Sequence, residues 1–407
     1  MNLLIVEYVS GGGYAHQKLS GNILSEAYGM LRSIISDSKI LGNNITTLID
    51  SRLQPFNPPL EADNIVTVSS PEEFCMQVKE LSGVVDAVYV IAPESNRILE
   101  KLVETIATSG GLSLNCEVDA IKRSSNKITI YETVKRIGLK SPETVTLNIH
   151  EKLGNIRRII KELEYPLIFK PLDCVGCGGL SIVKDVEDIE DAVKKVAKES
   201  TDDFFIAQNL VKGKAVSVNV ISTGDKTLPV TLNRQFVKLE PPDKQSGYIG
   251  GCVPFDHKLK KKALNAAERV VEAIKGLKGY VGVDMVLTEE EPIIIEVNPR
   301  LTTSYIGLNR AINFNPAEAL VNASLQRKLP KNVQHRGYTF FSKVEVTSNS
   351  DNIAKTYKLK DVISPPFPIE NCKPGVALIA SSSISSKGAQ TGFCRAKKRL
   401  LKIYGDN

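Results

Sequence analysis

The chain contains no tryptophan, and its 407 residues hold only 12 tyrosines and 12 phenylalanines. No stacking platform for single-stranded nucleic acid is evident in such a composition. Four histidines stand far apart, at positions 16, 150, 257 and 335, so a zinc site built on histidine is not expected. No apolar run reaches the length of a membrane span. The opening MNLLIVEYVS meets an acid too early for a signal core and has no basic region before it. Seven cysteines, an odd number in a long chain, point to reduced thiols rather than a disulfide framework. A massed charge of one sign is also lacking, since 52 basic residues face 46 acidic ones for a net charge of +6. The densest basic cluster, residues 258–262, reads as the solvated start of a helix that would also attract an anionic substrate. These absences leave a cytoplasmic protein of two or three domains, with no nucleic-acid and no membrane partner.

What is present centres on residues 279–309. Residues 280–287 and 292–297 are apolar runs separated by the polar turn 288–291, which predicts a hairpin. If the hairpin is symmetric about Glu290, Asp284 lies opposite Glu296, and strand alternation puts Asn298 on the face of Glu296. Two opposed carboxylates repel each other, and a hard divalent cation relieves the repulsion. Arg300 follows with a fork of donors suited to phosphate or carboxylate. Thr302, Thr303 and Ser304 then offer hydroxyls. A salt-bridged surface hairpin is the plainer alternative, but it does not account for an acid inside the run Ile293-Ile294-Ile295-Glu296-Val297.

The rest of the chain divides by pattern. Residues 1–115 alternate strands with helices, predicting a parallel sheet covered by helices. Gly11 and Gly12, in the glycine run after the first strand, suit either a phosphate cradle or a tight turn near a ligand. One helix is expected over 124–138, capped by Ser125, with Lys127 in its first turn, either facing a phosphate or simply exposed. A strand over 165–171 carries Lys170 near its end. Gly176, Gly178 and Gly179 then crowd together, as a flexible loop folding over phosphates requires. Cys174 and Cys177 form a C-x-x-C pair, readable as a metal or redox site or as small residues of that loop. Strands outnumber helices over 115–325, suggesting an α+β region with antiparallel sheets. Residues 241–251 read as a Pro- and Gly-rich loop. Residues 327–337 read as a linker, and 335–407 as a small C-terminal α+β region with Pro365-Pro366 in a turn.

PLIFKP with its GCGG loop, AQNLVKG, GVDMV and IIIEVNPRLTTSYIGL stand in the order and approximate spacing of the ATP-grasp superfamily of carboxylate–amine ligases. The chain resembles that superfamily over about residues 116–325, and residues 1–115 look like its pre-ATP-grasp, Rossmann-like domain. EYVSGGG, LSEAYGML and NPRLTTSY are most similar to the archaeal ligases that join tyramine to glutamate in methanofuran biosynthesis.

The resemblance implies an ATP-grasp fold, α/β and α+β, with ATP and magnesium or manganese as cofactors. Lys127 and Lys170 would contact ATP phosphates under a lid of Gly176, Cys177, Gly178 and Gly179. Gln208, Asn209, Leu210 and Val211 would form the adenine hinge, met mainly through backbone groups. Asp284, Glu296 and Asn298 would hold the metal. Arg300 and Lys170 would serve catalysis, and Arg234 would contact phosphate or the acid. Thr302, Thr303, Ser304, Gly11 and Gly12 would line the substrate site. One position departs from the family: where many members place a ribose-binding acid, this chain has Ala215. The expected reaction is ADP-forming amide synthesis from a small acid and an amine, glutamate and tyramine first, with a homodimer left open. A biotin-carboxylase-like ligase and a non-catalytic ATP-binding protein are the competing readings.

Overall fold

The apolar run NLLIVE forms strand β1 (Asn2–Glu7), buried at five of its six residues. The computed structural model describes residues 1–172, 176–347, 350–368 and 374–405. With β2 (Asn44–Asp50), β3 (Asn64–Val68) and β4 (Ala87–Ile91), β1 makes a parallel sheet in the order β3-β2-β1-β4. Helix Gly21–Ile40 carries the chain from β1 to β2 and helix Pro71–Ser82 from β3 to β4, while residues 51–63 connect β2 to β3. Every residue of β4 is buried, as expected of a strand covered on both faces. The parallel N-terminal unit read from the alternating pattern is thus present.

A second, antiparallel sheet contains β5 (Thr144–Asn148), β6 (Leu167–Pro171), β7 (Ser181–Val183) and β8 (Phe204–Asn209) in the order β5-β8-β6-β7. Helices Leu153–Ile159 and Ile189–Glu199 cover it. Its core, around Phe169, Phe205, Ile156 and Val193, takes no residue from outside 145–207 among those described.

The largest sheet has eight strands: β9 (Lys214–Thr223), β10 (Thr227–Lys238), β11 (Gly247–Val253), β12 (Lys278–Leu287), β13 (Pro292–Asn298), β14 (Tyr338–Thr347), β15 (Val362–Phe367) and β16 (Pro374–Ser383). They lie antiparallel in the order β13-β12-β9-β10-β11-β14-β16-β15. Alternation gives this sheet two unlike faces. Val216, Val218, Leu232, Val283 and Val297 pack with Ala263, Ala267 and Val270 of helix Lys260–Glu272, in a cluster that reaches Val6 and Val88 of the parallel sheet. The opposite face carries Ser217, Asn219, Asn233, Gln235 and Asp284.

Several local expectations are corrected. Residues 241–251 are not all loop, because Gly247–Val253 is β11. A Cβ on Gly250 would meet the Phe341 carbonyl oxygen at 2.2 Å, and one on Gly251 the Arg234 oxygen at 2.6 Å, so these glycines permit close strand pairing. Pro365 and Pro366 lie in β15, an edge strand where a missing N–H is tolerated. The helix expected over 124–138 is two, Val118–Ser125 and Lys127–Arg136, and the cap is Asn126 rather than Ser125. Asn126 Oδ1 accepts from the Ile128 and Thr129 amides, while Ser125 Oγ donates back to the Ile121 carbonyl. Residues 335–407 supply β14, β15, β16 and helix Ser386–Tyr404, and their strands continue the large sheet. Among the described residues, no helix is long and apolar enough to cross a membrane.

Candidate active site

The turn after β12 is held by Thr288, whose Oγ1 accepts from the amides of Glu290 and Glu291. Lys258 and Lys262 of the basic cluster bind the same turn, at the Glu289 carboxylate and the Glu290 carbonyl. This register sets Asp284 directly opposite Glu296 and Gly282 opposite Asn298, with a bulge just after Asp284. Asn298 Nδ2 donates to Asp284 Oδ2 at 3.2 Å, and Gln235 Nε2 donates to Oδ1 at 3.0 Å. Both acids are largely enclosed by protein yet still reach solvent at the cleft. Burial, then the charge of Glu296, pushes the Asp284 carboxyl well above its ordinary range. Burial alone would raise Glu296 too. The charges of Lys127 and Lys170, a hydrogen bond from Asp284 and the charge of Arg300 bring it below its ordinary value. The two carboxyls therefore titrate as one coupled pair, in which Asp284 holds a proton more readily than Glu296.

Two opposed carboxylates beside an amide are hard oxygen donors, and their mutual repulsion is what a divalent cation relieves. No cluster of three or more His, Cys, Asp or Glu side chains suited to a metal occurs among the described residues. A cation held here would take its remaining ligands from water or from phosphate oxygens, as magnesium commonly does.

The other wall comes from the small sheet. Lys170, at the end of β6, is 6% exposed. Burial drops its pKa to about 8, against the upward pull of Glu296. Lys127 opens its helix and donates from Nζ to the Leu172 carbonyl at 2.8 Å. Past Lys170, Gly176, Cys177 and Gly179 all take positive φ, of 63°, 69° and 66°. At Gly179 a Cβ would also meet Pro171 Cγ at 2.6 Å, so glycine is required there twice over. Burial, then the charges of Glu296, Glu26 and Asp284, pushes the Cys177 thiol up to about 12. Cys177 is a free thiol. Cys174, its partner in the C-x-x-C reading, lies outside the described residues.

Other expected residues are placed less simply. Arg300 Nε and Nη2 donate to Glu94 Oε2 at 3.1 and 3.0 Å, an ion pair from the loop after β4. Gln208 Nε2 is spent on Thr144 Oγ1 at 2.7 Å, Asn209 Oδ1 accepts from the Glu164 amide, and the Leu210 amide donates to the Pro166 carbonyl. These groups hold the segment before Val211 in place. Thr302 Oγ1 meets the Tyr280 hydroxyl and Ser304 Oγ, each at 3.0 Å, and Ser304 donates to Asn219 Oδ1 at 2.6 Å. Both residues build the floor beneath the cleft. Thr303 instead donates to Glu26 Oε2 at 2.6 Å.

Arg234, Gly11 and Gly12 complete the set of expected residues. Arg234 is not brought to the acids. Its neighbour Gln235 takes the polar face, so Arg234 turns to the other side, binds the Ala215 carbonyl at 2.6 Å and lies over Phe236. Gly11 and Gly12 form a tight turn, one of the two readings of that glycine run: a Cβ on Gly11 would meet the Glu7 oxygen at 2.4 Å, and one on Gly12 would strike Val68. Four residues at the cleft, Gln235, Glu94, Glu26 and Lys343, were not anticipated. Alternation along β10 was the one available signal, and it pointed to Gln235 once Arg234 was set aside.

An ATP-grasp domain matches residues 124–304, and a pre ATP-grasp 3 domain matches residues 43–121. The chain is 28% identical over 339 residues to the tyramine–L-glutamate ligase of Methanocaldococcus fervens, covering 83% of this chain and 99% of that one. It is 29% identical over 343 residues to the enzyme of the same name in Methanocaldococcus jannaschii, covering 83% and 94%. The crystal structure of an ATP-grasp superfamily protein from Archaeoglobus fulgidus superposes with a TM-score of 0.62 at 20% identity, over 93% of this chain and 99% of that one. The opposed acids, both lysines, the glycine loop and Arg300 all fall inside the first matched stretch, and the chain belongs to the ATP-grasp superfamily.

Proposed function

We propose that this chain is an ADP-forming ligase that activates a small acid as an acylphosphate and joins it to an amine, with the γ-carboxylate of glutamate and tyramine as its substrates. The observation that carries this reading is the pairing of Asp284 with Glu296 on one wall of a cleft whose other wall sets Lys127 and Lys170 against them. Phosphoryl transfer depends on positioning and on neutralising charge, and those groups converge on one place. The names of the two Methanocaldococcus relatives support the choice of substrates.

In this reading ATP lies between the two sheets. Lys127, Lys170 and the loop from Gly176 to Gly179 meet its phosphates, and the peptide groups of Gln208, Asn209, Leu210 and Val211 border its adenine. Asp284, Glu296 and Asn298 would hold magnesium or manganese, which when bound offsets phosphate charge. The acid's oxygen attacks the γ phosphorus, and ADP leaves. The amine then adds to the acyl carbon and phosphate departs. Glu94 and the Leu301 carbonyl fix the orientation of Arg300, which keeps one N–H each on Nη1 and Nη2 for the transferred group. The loop over the acids keeps water from the acylphosphate. Thr302 and Ser304 position the floor, and Thr303 and the turn at Gly11 and Gly12 border the acid's end of the cleft.

The test is a screen of acids paired with amines for ADP release. With the acid's carboxylate oxygens labelled by a heavy isotope, the label is expected in the released phosphate. AMP as product, or unlabelled phosphate, would overturn the mechanism. Labelled phosphate with no preference for glutamate and tyramine would discard only the substrates.

A further inference from the structure

Glu26 of helix Gly21–Ile40 and Lys343 of strand β14 stand 317 positions apart in the chain, yet they form an ion pair at the cleft. Lys343 Nζ lies 2.5 Å from Glu26 Oε1, and the two side chains are only 10% and 21% exposed. Glu26 Oε2 accepts from Thr303. Gln235, Gly251 and Phe341 pair across β10, β11 and β14, so they share a face, and Lys343, two positions on from Phe341, shares it too. That face carries Asp284. The Tyr248 ring lies 5.9 Å from Lys343 Nζ, and burial, Glu26 and Asp284 together hold the Tyr248 hydroxyl protonated. Beyond burial, the charges of Glu296, Glu26 and Asp284 raise the Cys177 thiol and that of Lys343 lowers it. The ion pair and the opposed acids therefore border one space beneath the glycine loop.

A structural tie does not explain this pair. Desolvating two charges is costly, and apolar residues would join the two elements at least as well. The helix is already joined to this sheet: Arg32 Nη1 donates to the Val362 and Ile363 carbonyls of β15 at 2.9 and 3.0 Å, and Leu31, Ile34, Phe341 and Leu378 belong to one apolar cluster. What an adjacent cation and anion match is the head of an α-amino acid, which carries the same two charges side by side. Within the ligase reading above, on which this rests, we propose that Lys343 takes the α-carboxylate and Glu26 the α-ammonium of the amino-acid substrate, leaving its side-chain carboxylate directed to the acids and Arg300. The segment after residue 335 thereby becomes part of the specificity pocket.

The experiment measures binding of three acids by calorimetry, with magnesium and a non-hydrolysable ATP analogue present. Glutamate has both head charges, glutarate lacks the ammonium, and 4-aminobutyrate lacks the α-carboxylate. The wild type is expected to bind glutamate about 30-fold or more tighter than either analogue. E26Q should weaken glutamate but leave glutarate unchanged, and K343M should weaken glutamate but leave 4-aminobutyrate unchanged. Should either single variant fail to fold, the neutral pair E26Q/K343Q leaves no unpaired charge and should bind all three acids alike. Nucleotide affinity should stay as in the wild type throughout. Equal binding of the three acids by the wild type, or equal weakening of all three in the variants, would overturn the assignment. The expected binding pattern without ADP release from any amine would instead sink the ligase reading and leave the amino-acid site standing.

Discussion

The small sheet β5–β8 and the eight-stranded sheet meet the cleft in opposite ways. The small one has a closed apolar core and offers a nearly dry cation, Lys170. The large one shares its clusters with the parallel sheet and offers acids on a polar face. Mutually attracting charges are thus mounted on units whose cores do not mix. A unit with its own core can shift or open locally without disturbing the rest, which is the property a nucleotide cover needs. Lys170 illustrates the cost: burial lowers its pKa to about 8, and an anion brought into the cleft strengthens its hold on the proton.

The comparison is tested most severely at the large sheet. Asp284→Asn or Glu296→Gln should lower turnover by about 1,000-fold, roughly 4 kcal/mol. The thermal transition should survive, since each change removes a charge from a repelling pair. An active double variant would end the assignment. Next in size is a contrast of cores by hydrogen exchange. Phe169→Ala should cost about 3 kcal/mol and loosen only residues 144–209, whereas Val218→Ala should also loosen the parallel sheet. Loss of protection in β1 from Phe169→Ala would show that the two units are not independent.

A smaller effect concerns pH. Asp37, 5% exposed on helix Gly21–Ile40, is raised by burial to about 7 from its ordinary 3.8. Between those values the folded chain binds the proton and the unfolded chain does not, so this contribution to stability falls as pH rises. Asp37→Asn does not titrate and keeps an acceptor for Asn309. The wild type should therefore lose about 2 kcal/mol relative to the variant between pH 5 and pH 7, read from chemical denaturation. Parallel curves for the two proteins would contradict this. The smallest expected effect is Cys177→Ser, with turnover within about twofold and unchanged bound zinc or iron, because a thiol held near 12 stays protonated at neutral pH. Metal lost with the thiol would restore the C-x-x-C reading.

The hairpin of Asp284 and Glu296 was legible because a short polar turn between two apolar runs sets the register, and each residue's face follows from counting. The bulge after Asp284 was not, since no residue there announces it. Strand β11 hid behind its glycines, and β15 behind Pro365-Pro366, because composition alone does not distinguish an edge strand from a turn. Arg234 drew notice as the charged residue, while Gln235 beside it faces the site. Glu94 and Lys343 reach the cleft through pairings with Arg300 and Glu26 that span 206 and 317 positions, and no local pattern carries such information.

The order of the large sheet has a consequence for the chain during synthesis. β11 pairs with β14, and β14 with β16, while Arg32 bonds to the carbonyls of Val362 and Ile363. A ribosome that has released residues 1–330 has delivered Lys127, Lys170, Asp284, Glu296 and Arg300, yet β11 is still an open edge and helix Gly21–Ile40 still lacks β15 and β16, two of the strands it rests on. The nascent chain therefore holds its phosphate-directed residues before it holds a finished pocket, and assembly waits until the last strands arrive.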